Sequence, residues 1–344
     1  MKRRFIAACA IAAAVSAAAT GCVPNTTGAG AGPTTAPVPA RTGQVRDLTR
    51  AEELRISDAA EVLTERCMNR AGFAYWTGTR LSLEESRSPG YVNDDVDWAA
   101  EHGYGSRIQE KAGRARQANP NGTYRAGLTP QRRQAYDKAL DGGRDATVLT
   151  AEIPTPAGTG RISKRLGGCS AQAEKELYGD PKAWFRAEKA VTNLQPLYVP
   201  RITRDKKFTD ALADWARCMA AAGYRYADPP AAQDAVARRT AGLGADEAPP
   251  DASEASEASE AADASAASAT SPTSATSAAF EAEKRVAVAE ARCARASALA
   301  AVARERETYY RGTLPDRYGE LIDTRRRLER DAYTRAARIT GPRA

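Results

Sequence analysis

Apolar residues recur at helical spacing in two stretches with closely similar endings. Ile56, Ala59, Leu63 and Cys67 fall three or four apart, as do Phe208, Leu212, Trp215, Cys218 and Ala222. Thr49 and Glu52 stand as a capping box before the first helix. The endings read CMNRAGFAY from Cys67 and CMAAAGYRY from Cys218, both C-M-x-x-A-G-aromatic-x-Tyr. Gly72 and Gly223 stand where a left-handed C-cap is wanted, and the following aromatic can fold back on the last turn. The pattern predicts the same helix ending twice: a Cys on the buried face, a glycine stop and an aromatic clasp.

Other helices follow from stripes and caps. Thr129 and Pro130 open one carrying Tyr136, Ala139 and Leu140, and GGCSAQAEKELYG forms another around Cys169. Asp180-Pro181 opens a helix through Trp184 and Phe185 that Pro196 ends, and Asp228-Pro229-Pro230 opens one that Gly242 stops. From Phe280 the residues Val286, Ala289, Cys293 and Ala296 through Leu299 form a stripe. Tyr318, Leu321, Ile322, Leu328, Ala332, Ala336 and Ile339 form a second. These two are expected to pack antiparallel, with the Cys218 helix as a third member. TVLTAEI and RISKR around PTPAGTG predict a small β-hairpin. Residues 76–128 lack sustained periodicity and are rich in Gly, Ser, Asn and Arg, which predicts a long irregular loop. Residues 244–278 hold seven acidic residues, no basic one and few large apolar ones. Such a stretch cannot offset its ordering entropy by burial, so it is expected to be a disordered insertion between Cys218 and Cys293.

The N-terminus changes the picture from fold to location. Lys2, Arg3 and Arg4 precede an apolar run from Phe5 to about Ala19, too short to span a bilayer and suited to a secretory signal over residues 1–21. Ala19-Thr20-Gly21-Cys22 resembles a bacterial lipobox, with Ala19 where Leu is usual, which makes Cys22 the expected lipidation site and mature N-terminus. Residues 22–44 are rich in Gly, Pro and Thr, as a disordered tether is. Two or more acyl chains on Cys22 would anchor the protein to membrane lipid without a spanning helix. The alternative is cleavage after the A-x-A of Ala17 and Ala19, giving a freely secreted protein. Loss of Lys2, Arg3 and Arg4 takes the formal charge from +7 to +4. Export together with so modest a charge argues against nucleic acid as a partner. Abundant Ala and Arg with little Lys suggests a high-GC, actinobacterial genome.

Of six cysteines, Cys9 lies in the signal and Cys22 at the lipid site. Cys67, Cys169, Cys218 and Cys293 remain, and four cysteines in an exported chain read as two disulfides with three possible pairings. The repeated helix ending, each copy followed later by a helix with one Cys, favours Cys67–Cys169 and Cys218–Cys293. The expected fold is mainly α: two duplicated, disulfide-stapled helical modules, 45–202 and 203–344, with long irregular loops and one short hairpin. Only 6% of residues are aromatic, so Leu, Ala and the staples must carry the cores. The repeated C-M-x-x-x-G-aromatic segment, the A-E-x-x-C of the Cys293 helix and the lipobox together resemble a loose group of uncharacterised actinobacterial lipoproteins and secreted proteins. That resemblance implies location and architecture, and no activity.

Candidate chemistry is sparse. Asp94, Asp95 and Asp97 lack the glycine and closing Glu of a calcium loop. His102 and Ser106 lack a nucleophile-elbow motif, and without C-x-x-C the lone His102 offers no metal cluster. Glu84 or Glu85 with Asp95 could serve an envelope hydrolase, one pair among the many that 43 acidic residues allow. Arg325, Arg326, Arg327 and Arg330 form a basic patch, with Glu320, Asp323 and Glu329 beside it. Tyr75, Trp76, Tyr91, Trp98 and Tyr104 could line a groove for sugars or peptides. No catalytic, metal-binding or cofactor-binding residue is assigned. The expectation is an accessory or binding lipoprotein of an envelope process, with an envelope protein or cell-wall polymer as partner. The alternatives are an envelope hydrolase using carboxylates of the 76–128 loop, or a secreted structural protein.

Overall fold

The computed structural model of the chain describes residues 46–87, 90–240 and 272–341. The signal, the tether with Cys22 and residues 244–271 of the acidic insertion lie outside them. The structure is mainly helical, with one two-stranded antiparallel hairpin and the disulfides Cys67–Cys169 and Cys218–Cys293.

The repeated motif is one helix ending made twice. Helix α1 (Arg50–Arg70) starts on Thr49, whose side chain accepts from the Glu52 N–H while Glu52 accepts from the Thr49 N–H. At its other end Gly72 takes φ +80°. The Gly72 N–H donates to the Asn69 carbonyl at 3.1 Å and the Phe73 N–H to that of Met68 at 3.0 Å. Helix α9 (Lys206–Ala221) repeats this with Gly223 at φ +87°, donating to Ala220 at 3.1 Å, and with Tyr224 donating to Met219 at 2.9 Å. Both endings are Schellman motifs, in which two otherwise orphaned carbonyls are satisfied. The structure gives the methionine a role that spacing alone did not. Met68 and Met219 supply the accepting carbonyl and are fully buried, while Cys67 and Cys218 are half-buried beside them.

Two compact units form, each from separated stretches of the described residues: 80–87 and 90–118 group with 201–240 and 272–307, and 119–200 groups with 308–341 and 46–79. Each expected module therefore gives a segment to the other.

In the unit of α1, the partners are α5 (Pro130–Asp141), α6 (Gly168–Tyr178), α7 (Pro181–Thr192) and α13 (Asp316–Thr340). α13 packs on α1, α6 and α7, which corrects the expected pairing with the Cys293 helix. Its Ala332 and Ala336 join Ile56, Ala59, Leu63, Ala173 and Leu177 in one core, because methyl side chains let α13 approach the larger residues of α1 and α6. A second core gathers Met68, Phe73, Tyr136 and Cys169. The hairpin is longer than its sequence signal: β1 (Thr147–Thr155) pairs with β2 (Gly158–Leu166), leaving Pro156 and Ala157 as the turn. α7 ends at Thr192, before Pro196, which lies inside a short helix Gln195–Ile202. The Gly167-Gly168 pair brings the start of α6 against the end of α5. A Cβ on Gly168 would stand 2.3 Å from the Ala139 carbonyl oxygen. That close approach positions Cys169 for Cys67.

In the other unit, much of the expected loop is helix: α2 (Val96–His102) and α3 (Ser106–Gln117) here, with α4 (Pro120–Gly127) in the unit of α1. α2 buries Ala99 against Ala287 and Ala291 of α11 (Pro272–Ala296), and α11 also packs on α9 and α10 (Pro229–Thr240). α11 starts at Pro272, so the last residues of the expected insertion are helical, with proline at the first position where its missing N–H costs nothing.

Candidate functional site

The residues singled out in the sequence are mostly occupied with structure. Asp95 caps α2: its Oδ1 accepts from the Trp98 N–H at 3.1 Å and its Oδ2 from Arg87 at 3.0 Å. These contacts, the N–H first, hold its carboxyl below the usual range. Asp94 accepts from Arg304 at 3.2 Å, Glu84 from Arg87 at 3.0 Å and Glu85 from Lys111 at 2.6 Å. His102 ends α2 with its ring 5.0 Å from Trp98 and its Nε2 3.7 Å from Glu101. Among the described residues no group of three or more His, Cys, Asp or Glu side chains is placed to hold a metal ion. In the basic patch, Arg326 grips Asp47 through two bonds of 2.6 and 3.0 Å, Arg325 pairs with Glu329 at 2.8 Å and Arg330 donates to the Arg46 carbonyl at 3.3 Å. Trp76 and Tyr124 meet edge to face, and Phe73 meets Tyr136 the same way, so these aromatics serve local packing.

A cleft of about 530 Å³ opens in the unit of α1, lined by that helix and by α6, α7 and α13. The Gly179–Asp180 turn between α6 and α7 folds Tyr178 onto Trp184, their rings parallel at 4.0 Å and 8°. Asp180 fixes that turn by accepting from the N–H groups of Lys182 and Ala183. Ser57, Thr64 and Ser170 add hydroxyls, and Glu53, Glu174, Glu188 and Glu329 add carboxylates. Arg325 is the one basic residue of the lining. Cations outside the lining pair with its carboxylates: Arg50 with Glu53 at 3.0 Å, Lys189 with Glu188 at 2.9 Å, and Lys164 with one oxygen of Glu174. The second oxygen of Glu174 is buried without a hydrogen-bond partner. Burial raises the Glu329 carboxyl above its ordinary range, opposed by Arg325. Burial likewise pushes the Tyr178 phenol up. The lining thus combines many hydrogen-bond acceptors with an aromatic wall. The cleft escaped the sequence reading because its residues come from helices some 270 positions apart, as Glu53 and Glu329 do.

A second set of groups lies in the other unit. Glu283 and Glu290 stand on one face of α11, two turns apart, and are 1% and 0% exposed. Glu283 Oε1 accepts from the Tyr104 N–H at 2.7 Å and the Ser106 N–H at 3.2 Å, while its Oε2 has no hydrogen-bond partner. Glu290 accepts from the Tyr104 hydroxyl at 2.6 Å and from Gln233 Nε2 at 3.3 Å. Burial pushes the Glu290 carboxyl up to about 7, against the lowering effect of those donors. In sequence these glutamates look like the solvent face of a charged helix, since their partners lie more than 170 residues away.

The disulfides fit an extracytoplasmic protein. No helix among the described residues is long and apolar enough to cross a membrane. Compared with protein-family models, with curated proteins and with solved structures, the chain matches none.

Proposed function

We propose that this is a lipid-anchored extracytoplasmic binding protein, tethered through Cys22, whose α1–α6–α7–α13 cleft holds a sugar unit of a cell-wall polymer. The observation that carries the reading is the Tyr178–Trp184 stack set in a wall of carboxylates and hydroxyls. A pyranose offers an apolar C–H face to an aromatic ring and a rim of hydroxyl or amino donors to acceptors, and the lining supplies both. Concave sites with a few convergent polar groups are the usual form of small-ligand pockets. The disulfides and the lipobox-like Ala19-Thr20-Gly21-Cys22 support the location. The carboxylates named for a hydrolase, Glu84, Glu85 and Asp95, sit in ion pairs and a helix cap, which favours binding over cleavage.

Two measurements test the parts separately. Calorimetric titration with a chitin tetrasaccharide and with its deacetylated, amine-bearing counterpart is expected to show saturable binding tighter than about 1 mM for at least one. Trp184→Ala is expected to weaken it about tenfold, the worth of an aromatic contact. No saturation with either sugar, or binding indifferent to Trp184→Ala, removes the cleft from the proposal. For the anchor, Cys22→Ala should move the protein from the detergent phase to the aqueous phase. A Cys22→Ala variant that stays with the membrane overturns the tether.

A further inference from the structure

A buried carboxylate ordinarily has a cation beside it, because a lone charge in a low-dielectric interior is costly. Neither Glu283 nor Glu290 forms an ion pair among the described residues. Beside Glu290 stand Tyr91 and Tyr104 from the facing segment; Glu283 and Tyr226 lie near Tyr104, and Asp228 near Tyr91. All are acids or phenols, and α10 itself contributes the neutral Gln233. Of the charged groups of the 91–106 segment, Asp94 pairs with Arg304 and Asp95 with Arg87, His102 Nε2 lies 3.7 Å from Glu101 without a hydrogen-bond partner, and Asp97 adds a further acid. Arg295 on α11 donates to the Asp94 carbonyl, a turn beyond Glu290. An ionised Glu290 would therefore be held by one short bond from Tyr104, one long bond from Gln233 and the Asn93 N–H, with no cation beside it.

These two glutamates, with Arg295 on the Asp94 carbonyl, also carry the polar attachment between α11 and the segment Tyr91–Ser106. Glu283 fits so closely under Gly103 that a Cβ there would lie 2.7 Å from its Oε1. Its carboxylate takes two N–H groups at the start of α3. Beside them the apolar contact is Ala99 against Ala287 and Ala291, with Val96, Tyr104 and Val288 packed on it. The alanines contribute little apolar area, and Tyr104 is itself tied to Glu290 through its hydroxyl, so the polar contacts weigh heavily in whether the segment stays down.

We propose that Glu290, seconded by Glu283, is a proton-operated latch: α11 holds the Tyr91–Ser106 segment while Glu290 carries a proton, and releases it when Glu290 ionises. The sign follows from linkage. The closed state binds the proton more tightly than the open state, so raising the pH favours opening. With closed and open values of about 7 and 4.5, the opening equilibrium rises roughly 25-fold between pH 5.5 and pH 8.

The test is hydrogen exchange on the full protein across that pH range, corrected for intrinsic exchange. Protection of the α2 amides from Ala99 to Gly103 should fall by roughly 25-fold, while amides of α9 in the same unit keep theirs. Glu290→Gln should flatten the dependence and leave α2 protected at pH 8. Tyr104→Phe, which removes a donor to the charged form, should move the midpoint upward. A pH-independent α2, an unchanged slope in Glu290→Gln, a midpoint that Tyr104→Phe does not raise, or α9 losing protection in step with α2 would each overturn the latch.

Discussion

At Gly72 and Gly223 the backbone takes φ of +80° and +87°, and a Cβ at either position would meet nothing within 4 Å. The requirement there is conformational alone. An L-residue in the left-handed region costs about 1–2 kcal/mol, partly offset by the stiffer unfolded chain. Gly72→Ala and Gly223→Ala should each lower stability by roughly 1 kcal/mol, and Asn, which tolerates this conformation, by less. Gly168 differs, although its φ is also positive, at +54°. A methyl group there would collide with the Ala139 carbonyl, and backbone cannot step aside as a side-chain tip can. Gly168→Ala should cost about 3 kcal/mol or more and impair closure of Cys67–Cys169. Urea unfolding of the three variants separates the cases: similar losses at all three would refute the assignment of Gly168 to close packing.

The Cys-Met helices are alike at their ends but are stapled differently. Cys169 lies in the first turn of α6, whereas Cys293 lies in the last turn of α11. The bridges close spans of 102 and 75 residues. In the chain-entropy picture each contributes about 4–5 kcal/mol, nearly independent of which span is closed. Replacing either pair by alanines should therefore destabilise its own unit by a similar amount, read as the loss of unfolding free energy in denaturant. A negligible loss for one pair would mean that its unit does not depend on the staple. What was legible at this scale divides along the same physics. The endings of α1 and α9, the capping box at Thr49 and the opening of α5 at Thr129-Pro130 are made by residues within one turn, so spacing reveals them. α2 and α3 gave no such signal. α3 buries no side chain, and α2 buries little beyond Trp98 and Ala99. The cleft and the buried glutamates depend on which distant helix arrives, and nothing local specifies that.

Across the whole chain, both disulfides lie inside units, and each unit draws on separated stretches. The consequence is sharpest for the unit of α1, whose core is completed by α13, more than 250 residues further along the chain. α13 is fastened there by more than Ala332 and Ala336. Arg55 of α1 donates to the Thr340 hydroxyl at 3.0 Å and to the Ala337 carbonyl at 3.2 Å, closing the C-terminal end of α13. In return Arg335 of α13 donates to the Leu177 carbonyl at 2.6 Å, at the end of α6. Cations at helix C-termini stabilise by meeting unsatisfied carbonyls and the negative end of the dipole. A chain stopped after Leu314 would lose all of this, exposing Ile56, Ala59, Leu63 and Leu177 together. It would leave Cys218 and Cys293 with their own helices intact. Alkylation of the oxidised, truncated protein should then find Cys67 and Cys169 reactive or mispaired, and Cys218 and Cys293 bridged as before. If Cys67–Cys169 forms at full yield without α13, the unit folds from its earlier helices alone, and α13 only decorates a core it was thought to complete.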